Sequence, residues 1–216
     1  MKEYTKLNTD TNFIKLVAII TMTIDHIGAV FFEDYLIFRI IGRIAFPLFV
    51  YSIMIGYFNT KSIKKYLFRM FFIGLLSQFS YSMLFDIYRP NVMFTLICVL
   101  LGYYALDKKK WWILPLLFVF PFLLNFEYAI VFLFLVCIFY YCRNNELLLT
   151  ILFILFYSNY LFFGTTDFNF VTFFTILCLP FILINTNFNI KINKYVFYLY
   201  YPVHITILLI IKSLLV

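Results

Sequence analysis

Residues 13–32 read FIKLVAIITMTIDHIGAVFF, a run long enough to cross a bilayer as one helix, yet with Asp25 and His26 side by side inside it. An ionised side chain at membrane depth costs roughly 2.5–3.5 kcal/mol on insertion scales, so it survives where it faces protein or water and has a partner. The next apolar run, 35–57, supplies Arg39 and Arg43 at helical i, i+4 spacing. Asp25, His26, Arg39 and Arg43 therefore predict a buried polar site with chemistry.

Composition extends this reading to the whole chain. Of 216 residues, 65% are hydrophobic, 24% aromatic and only 12% charged, too little polar surface to coat a soluble globule. The class expected is an all-α, polytopic membrane bundle. The first run carries Asp25 and His26 and lacks a small-residue cleavage site, so it reads as a retained span and not a signal peptide. Apolar runs between polar breaks give nine candidate spans: 13–32, 35–57, 66–85, 92–106, 111–126, 128–142, 147–163, 170–184 and 195–216. Several fall short of the roughly 20 residues that a 30 Å core requires, so they extend into their flanks, thin the bilayer or re-enter.

Loop charge orients these spans. With the N-terminus inside, Lys2, Lys6, Lys61, Lys64, Lys65, Lys108 to Lys110, Arg143, Lys191 and Lys194 share one side. The opposite loops carry Glu33, Asp34, Asp86, Glu127 and Asp167, with Arg89 as their internal base. This is the positive-inside pattern, and it predicts nine membrane crossings with the C-terminus outside. The net charge of +7 is then a topology signal rather than a surface for nucleic acid. No linker, composition shift or inverted repeat divides residues 1–216, so a single domain is expected. Cys98, Cys137, Cys142 and Cys178 lack CxxC or Cys/His ligand spacing, so they read as buried thiols rather than disulfides or a metal site.

Depth brings candidates together. Asp25 and His26 lie a little past the midplane of the first span, and Arg39 and Arg43 lie one to two turns into the second from the other side. Neighbouring helix positions point about 100° apart, so Asp25 and His26 do not simply pair with each other. Asp25 is expected to pair with Arg43 or Arg39, and burial favours a neutral His26. One aspartate against two arginines leaves positive charge, so unless Glu127 balances it the site calls for an anionic ligand such as phosphate or carboxylate. His204 lies near the midplane of the last span, with Asn91 at the outer mouth of the fourth.

The segments KLVAIITMTIDHIGAVFF (15–32), RIIGRIAFPLFVYSIMIGY (39–57), KKYLFRMFFIGLLSQ (64–78), NVMFTL (91–96) and FYLYYPVHITIL (197–208), taken in order, resemble the TraX family of membrane proteins. The resemblance implies a multi-spanning acetyltransferase with acetyl-CoA as donor and no metal, within a wider group of transmembrane acyltransferases. It carries over onto Asp25, His26 and Gly28; Arg39, Gly42, Arg43 and Pro47; Tyr66 and Arg69; Ser77 and Gln78; Asn91 and Thr95; and Tyr201, Pro202 and His204. The family tends to an Asp-Tyr-Gly turn where this chain has Glu127, Tyr128 and Ala129, a departure that bears on the acceptor. A pilin-like protein, another exported peptide, a glycan or a lipid headgroup would each present a nucleophile at the outer face.

On this reading His26 is the general base or nucleophile, Asp25 is an orienting or ion-pair residue, Arg43 stabilises the oxyanion with Asn91 or Ser77, and His204 is a second catalytic candidate. Arg69, Lys65, Arg39, Ser77, Gln78 and Asn91 are the candidate acetyl-CoA contacts. The plainer readings are a structural His26 or His204, an Arg39 that snorkels to the interface, an interfacial Arg69, and Ser77, Gln78, Asn91 and Thr95 as interhelical glue. A proton-coupled small-molecule transporter would also use intramembrane Asp, His and Arg, but it usually shows repeated halves.

Overall fold

The computed structural model describes residues 7–129, 131–163, 167–188, 190 and 192–215. Lys2, Lys6 and Lys191 of the charge pattern lie outside the described residues. The helices are α1 (Thr11–Phe31), α2 (Leu36–Gly42), α3 (Ala45–Asn59), α4 (Ile63–Phe85), α5 (Val92–Asp107), α6 (Ile113–Leu123), α7 (Val131–Cys142), α8 (Glu146–Phe163), α9 (Asp167–Phe173), α10 (Leu179–Leu183) and α11 (Lys194–Leu215), with a 3-10 turn at Phe174–Cys178. Among the described residues each expected span has a helical counterpart, and the nine apolar segments divide by length. Four are long and apolar enough to cross a membrane: Thr11–Phe31, Leu36–Asn59, Ile63–Phe85 and Tyr195–Leu215. The other five are shorter. The 11 residues of α6 rise only about 16 Å, roughly half a hydrocarbon core.

The chain groups into two compact units, each drawn from two stretches of sequence: Met1–Ser52 with Cys137–Lys191, and Ile53–Val136 with Ile192–Val216. In the first, α2 packs on α1 and also meets α9 and the 3-10 turn, and α8 packs on α9. Asn8, fully buried, ties the segment before α1 to the end of α10: its side-chain amide donates to the Phe181 carbonyl and the Thr186 hydroxyl, both at 2.9 Å. The Tyr51 hydroxyl donates to the Asn8 carbonyl, also at 2.9 Å. Asp10 then caps α1 by accepting from the backbone N–H of Phe13.

The second expected span is broken into α2 and α3, with Arg43 and Ile44 between them. Pro47 accounts for the break. A proline has no N–H to give the carbonyl four residues back, here that of Arg43, and its ring crowds that carbonyl. At the third position of α3 the missing donor costs little, because first-turn N–H groups have no intrahelical partner. Arg43 therefore sits at a helix junction.

In the second unit, α4 packs on α5 and α11, and α5 on α6. Lys212 of α11 closes the C-terminal end of α4, donating to the Leu84 carbonyl at 2.9 Å and pairing with Asp86 at 3.1 Å. A cation there meets the negative end of the helix dipole. Asn91 caps α5 by accepting from Met93 N–H at 3.0 Å, and Gln78 holds the connecting turn through Asn91 N–H and the Arg89 carbonyl.

Candidate functional site

The helical pitch of α1 puts Asp25 on its buried face, opposite α2. Its carboxylate takes two guanidinium groups: Arg39 Nη1 at 2.9 Å on Oδ2 and Arg43 Nη2 at 3.5 Å on Oδ1. Arg39 also donates to the Asp25 backbone carbonyl at 3.2 Å. The pairs differ in dryness, because the Arg39 side chain is 32% exposed and that of Arg43 only 6%. Two glycines let the helices close this far. A Cβ on Gly42 would lie 2.0 Å from Asp25 Oδ1, and one on Gly28 would lie 2.2 Å from the Phe38 Cβ. The cluster holds two positive groups and one negative, so it retains the charge to attract an anion or steady a developing oxyanion. His26 follows Asp25 on α1, half-buried and about 100° around the helix.

The remaining candidates lie in the other unit. Ser77 Oγ donates to the Ile73 carbonyl at 2.6 Å and Asn91 Nδ2 to the Gly74 carbonyl at 2.8 Å. The Ser77 bond stays within α4, whereas Asn91 and Gln78 knit α4 to the start of α5. Arg69 Nε donates to the Tyr198 hydroxyl at 3.3 Å, and its guanidinium lies over the rings of Tyr66 and Tyr198. Its terminal nitrogens make no hydrogen bond to the described residues, and Lys65, one turn earlier on α4, is exposed. His204, 6% exposed, has Nδ1 at 2.9 Å from the Tyr200 carbonyl and its ring stacked on Tyr200. That bond requires a proton on Nδ1, which makes Nε2 the basic nitrogen of the neutral ring.

Glu127 finds its counter-charge within its own unit. Its Oε1 accepts from the Tyr81 hydroxyl at 2.5 Å and from Arg89 Nη2 at 3.1 Å, and its backbone carbonyl accepts from Thr95 Oγ1 at 2.7 Å. Arg89, in the turn before α5, is held above the ordinary guanidinium range: burial opposes its charge, but Tyr81 and Glu127 outweigh that. Sequence reasoning missed Tyr81 and saw Arg89 only as a loop base. Nothing in the sequence marks Tyr81 among the chain's 18 tyrosines. A second feature outside the sequence reading is an open cleft of about 610 Å³ at the start of α1, lined by Thr9, Asn12, Asn185 and Asn187 among others.

The sequence profile described as TraX protein matches residues 10–212. The chain belongs to the TraX protein family. The match runs through both units. A TraX-length stretch is not shared with every relative, however: "Probable fimbrial assembly protein FimC, serogroup H1" of Dichelobacter nodosus is 32% identical over 105 residues, 41% of this chain and 43% of that protein. "Uncharacterized protein RP591" of Rickettsia prowazekii (strain Madrid E) is 50% identical over 40 residues, 18% of this chain and 16% of that protein. The aligned stretches thus span less than half of either curated relative. No solved structure matches this TraX chain.

Proposed function

We propose that this protein is an acetyltransferase of the bacterial plasma membrane, moving an acetyl group from cytosolic acetyl-CoA to an amine or hydroxyl acceptor at or beyond the outer face. The observation that carries the reading is a buried carboxylate clamped by two guanidiniums, with a histidine next to it in sequence, in a chain of the TraX family. The fimbrial assembly role in the name of one relative favours a pilin-like or other exported peptide as acceptor.

In the proposed reaction His26 takes a proton from the acceptor nitrogen or oxygen as that atom bonds to the thioester carbonyl carbon. The carbonyl oxygen becomes an oxyanion, for which the Arg39 and Arg43 pair supplies positive charge. The C–S bond then breaks, and the imidazolium returns its proton to the departing CoA sulfur. Asp25 is the positioning residue, holding both arginines in place. Arg69 and Lys65 are the proposed contacts for the phosphates of CoA, guanidinium forks and ammonium groups being suited to them. The proposed orientation, N-terminus inside, puts these two at the cytoplasmic side.

The test is CoA release from acetyl-CoA by detergent-purified protein, followed with a thiol reagent, together with mass spectrometry of exported peptides with and without the gene. His26→Ala is expected to lower turnover by roughly a hundredfold or more while acetyl-CoA still binds. A wild-type protein that neither binds nor cleaves acetyl-CoA overturns the proposal.

A further inference from the structure

The turn between α6 and α7 holds Glu127 between two residues in the left-handed backbone region, Asn125 at φ 52° and Tyr128 at φ 58°. A tyrosine adopts this conformation only where its surroundings impose it, and such strain gathers at ligand sites. Here α4, the α4–α5 turn and α5 all grip Glu127, through Tyr81, Arg89 and Thr95.

The grip is one-sided. Both Tyr81 and Arg89 bond to Oε1, while Oε2 accepts from none of the described residues and the side chain keeps 22% exposure. Two buried donors of the same unit, Arg89 Nε and the Tyr201 hydroxyl, donate to none of the described residues, although the Tyr201 oxygen faces the Val92 N–H. Tyr201 is 5% exposed and lies within electrostatic reach of Glu127 and Tyr81. A turn built only as a staple would use both carboxylate oxygens on the guanidinium fork, and a buried donor left unmatched costs free energy that a ligand can recover.

An open carboxylate oxygen asks for a cationic donor, and the two unmatched donors ask for an acceptor oxygen. A bare anion would meet repulsion at Oε2, and a bare cation would meet it at Arg89. We propose that Glu127, Arg89 and Tyr201 bind an α-amino carbonyl group, with its ammonium on Glu127 Oε2 and its carbonyl or carboxylate oxygen on Arg89 Nε and the Tyr201 hydroxyl. The end of a peptide and a free amino acid both present this group. The site lies within one unit and goes beyond the acetyltransferase reading, and its test needs no acetyl transfer.

The test is fluorescence anisotropy on the full-length protein in detergent, without acetyl-CoA, using an Ala-Ala-Gly-Gly peptide labelled at its C-terminus, with its N-terminus free or acetylated. The free peptide is expected to bind at least tenfold more tightly than the acetylated one. Glu127→Gln, whose amide oxygen still accepts from Tyr81, is expected to remove the difference. Tyr201→Phe, which loses only a hydroxyl, is expected to weaken the free peptide tenfold and serves alone if the Gln variant does not fold. Competition by alaninamide but not alanine assigns the site to peptide ends, and equal competition assigns it to amino acids. Equal binding of the two peptides, binding of neither, competition by neither small molecule, or unchanged affinity in Tyr201→Phe overturns the site. Because acetyl-CoA is absent, those results leave the transfer chemistry standing, whereas a protein that binds the peptide but never cleaves acetyl-CoA loses only the transfer chemistry.

Discussion

At Asp25 two arginines do different work. The Arg43 contact is dry, and removing that guanidinium leaves the buried carboxylate to Arg39 alone, so Arg43→Ala is expected to cost roughly 1.5–3 kcal/mol. Arg39 is a third exposed and its pair is screened, so Arg39→Ala should cost no more than about 1 kcal/mol. Thermal unfolding of the two variants in one detergent checks the order, and equal losses would mean that the two contacts are equally dry. Gly42→Ala tests the same site from the backbone side. A methyl group 2.0 Å from Asp25 Oδ1 must push the carboxylate or the helix away, at a cost of about 1–3 kcal/mol in stability. These pairings were legible in the sequence because intramembrane charge demands a partner and Arg39 and Arg43 were the nearest cations in the next span. Tyr81 was not legible: in a chain with 18 tyrosines, nothing in the sequence sets one hydroxyl apart until Glu127 is seen to meet it.

Among the elements, the break between α2 and α3 falls at Arg43 and Ile44. Pro47→Ala restores the donor for the Arg43 carbonyl and lets one helix run from Leu36 to Asn59, redirecting α3 where it leaves Arg43. The expected result is a protein at least as helical by circular dichroism whose CoA release falls about tenfold or more. Unaltered activity with raised helicity would mean that the junction has no part in the site. At the far end of α4, Lys212→Met is expected to lower stability by about 1 kcal/mol, the usual worth of a cation at a helix C-terminus. Hydrophobic runs located all nine apolar segments, since a run of apolar residues records burial in lipid or protein whatever the helix does inside it. They did not locate the break, because Ala45 and Phe46 are as apolar as their neighbours and only the backbone chemistry of Pro47 interrupts the ladder.

For the molecule as a whole, the charged loops give a direct test of orientation. With the N-terminus inside, a cysteine replacing Lys109 should resist an impermeant thiol reagent in intact cells, and one replacing Asp34 should react, on a background with Cys98, Cys137, Cys142 and Cys178 removed. The reverse labelling would invert the proposed membrane sides of the acetyl donor and acceptor. The division into two units left little mark in the sequence because two of its three boundaries, at Ser52 and Val136, fall inside α3 and α7, where no linker is needed, and the third, at Lys191, falls in one more short connection between helices.

That interleaving has a consequence for synthesis. Neither unit is complete when its first stretch leaves the ribosome, since the first waits for residues up to Lys191 and the second for those beyond Ile192. At roughly 5–20 residues per second, Lys191 follows Arg43 by about 7–30 s. Asp25, by contrast, waits only about 1–4 s for Arg43, and for Arg39 less. The nascent α1–α2 hairpin thus carries its own counter-ions to the insertion machinery, so its most costly side chain can enter the bilayer already paired, long before either unit has the rest of its chain.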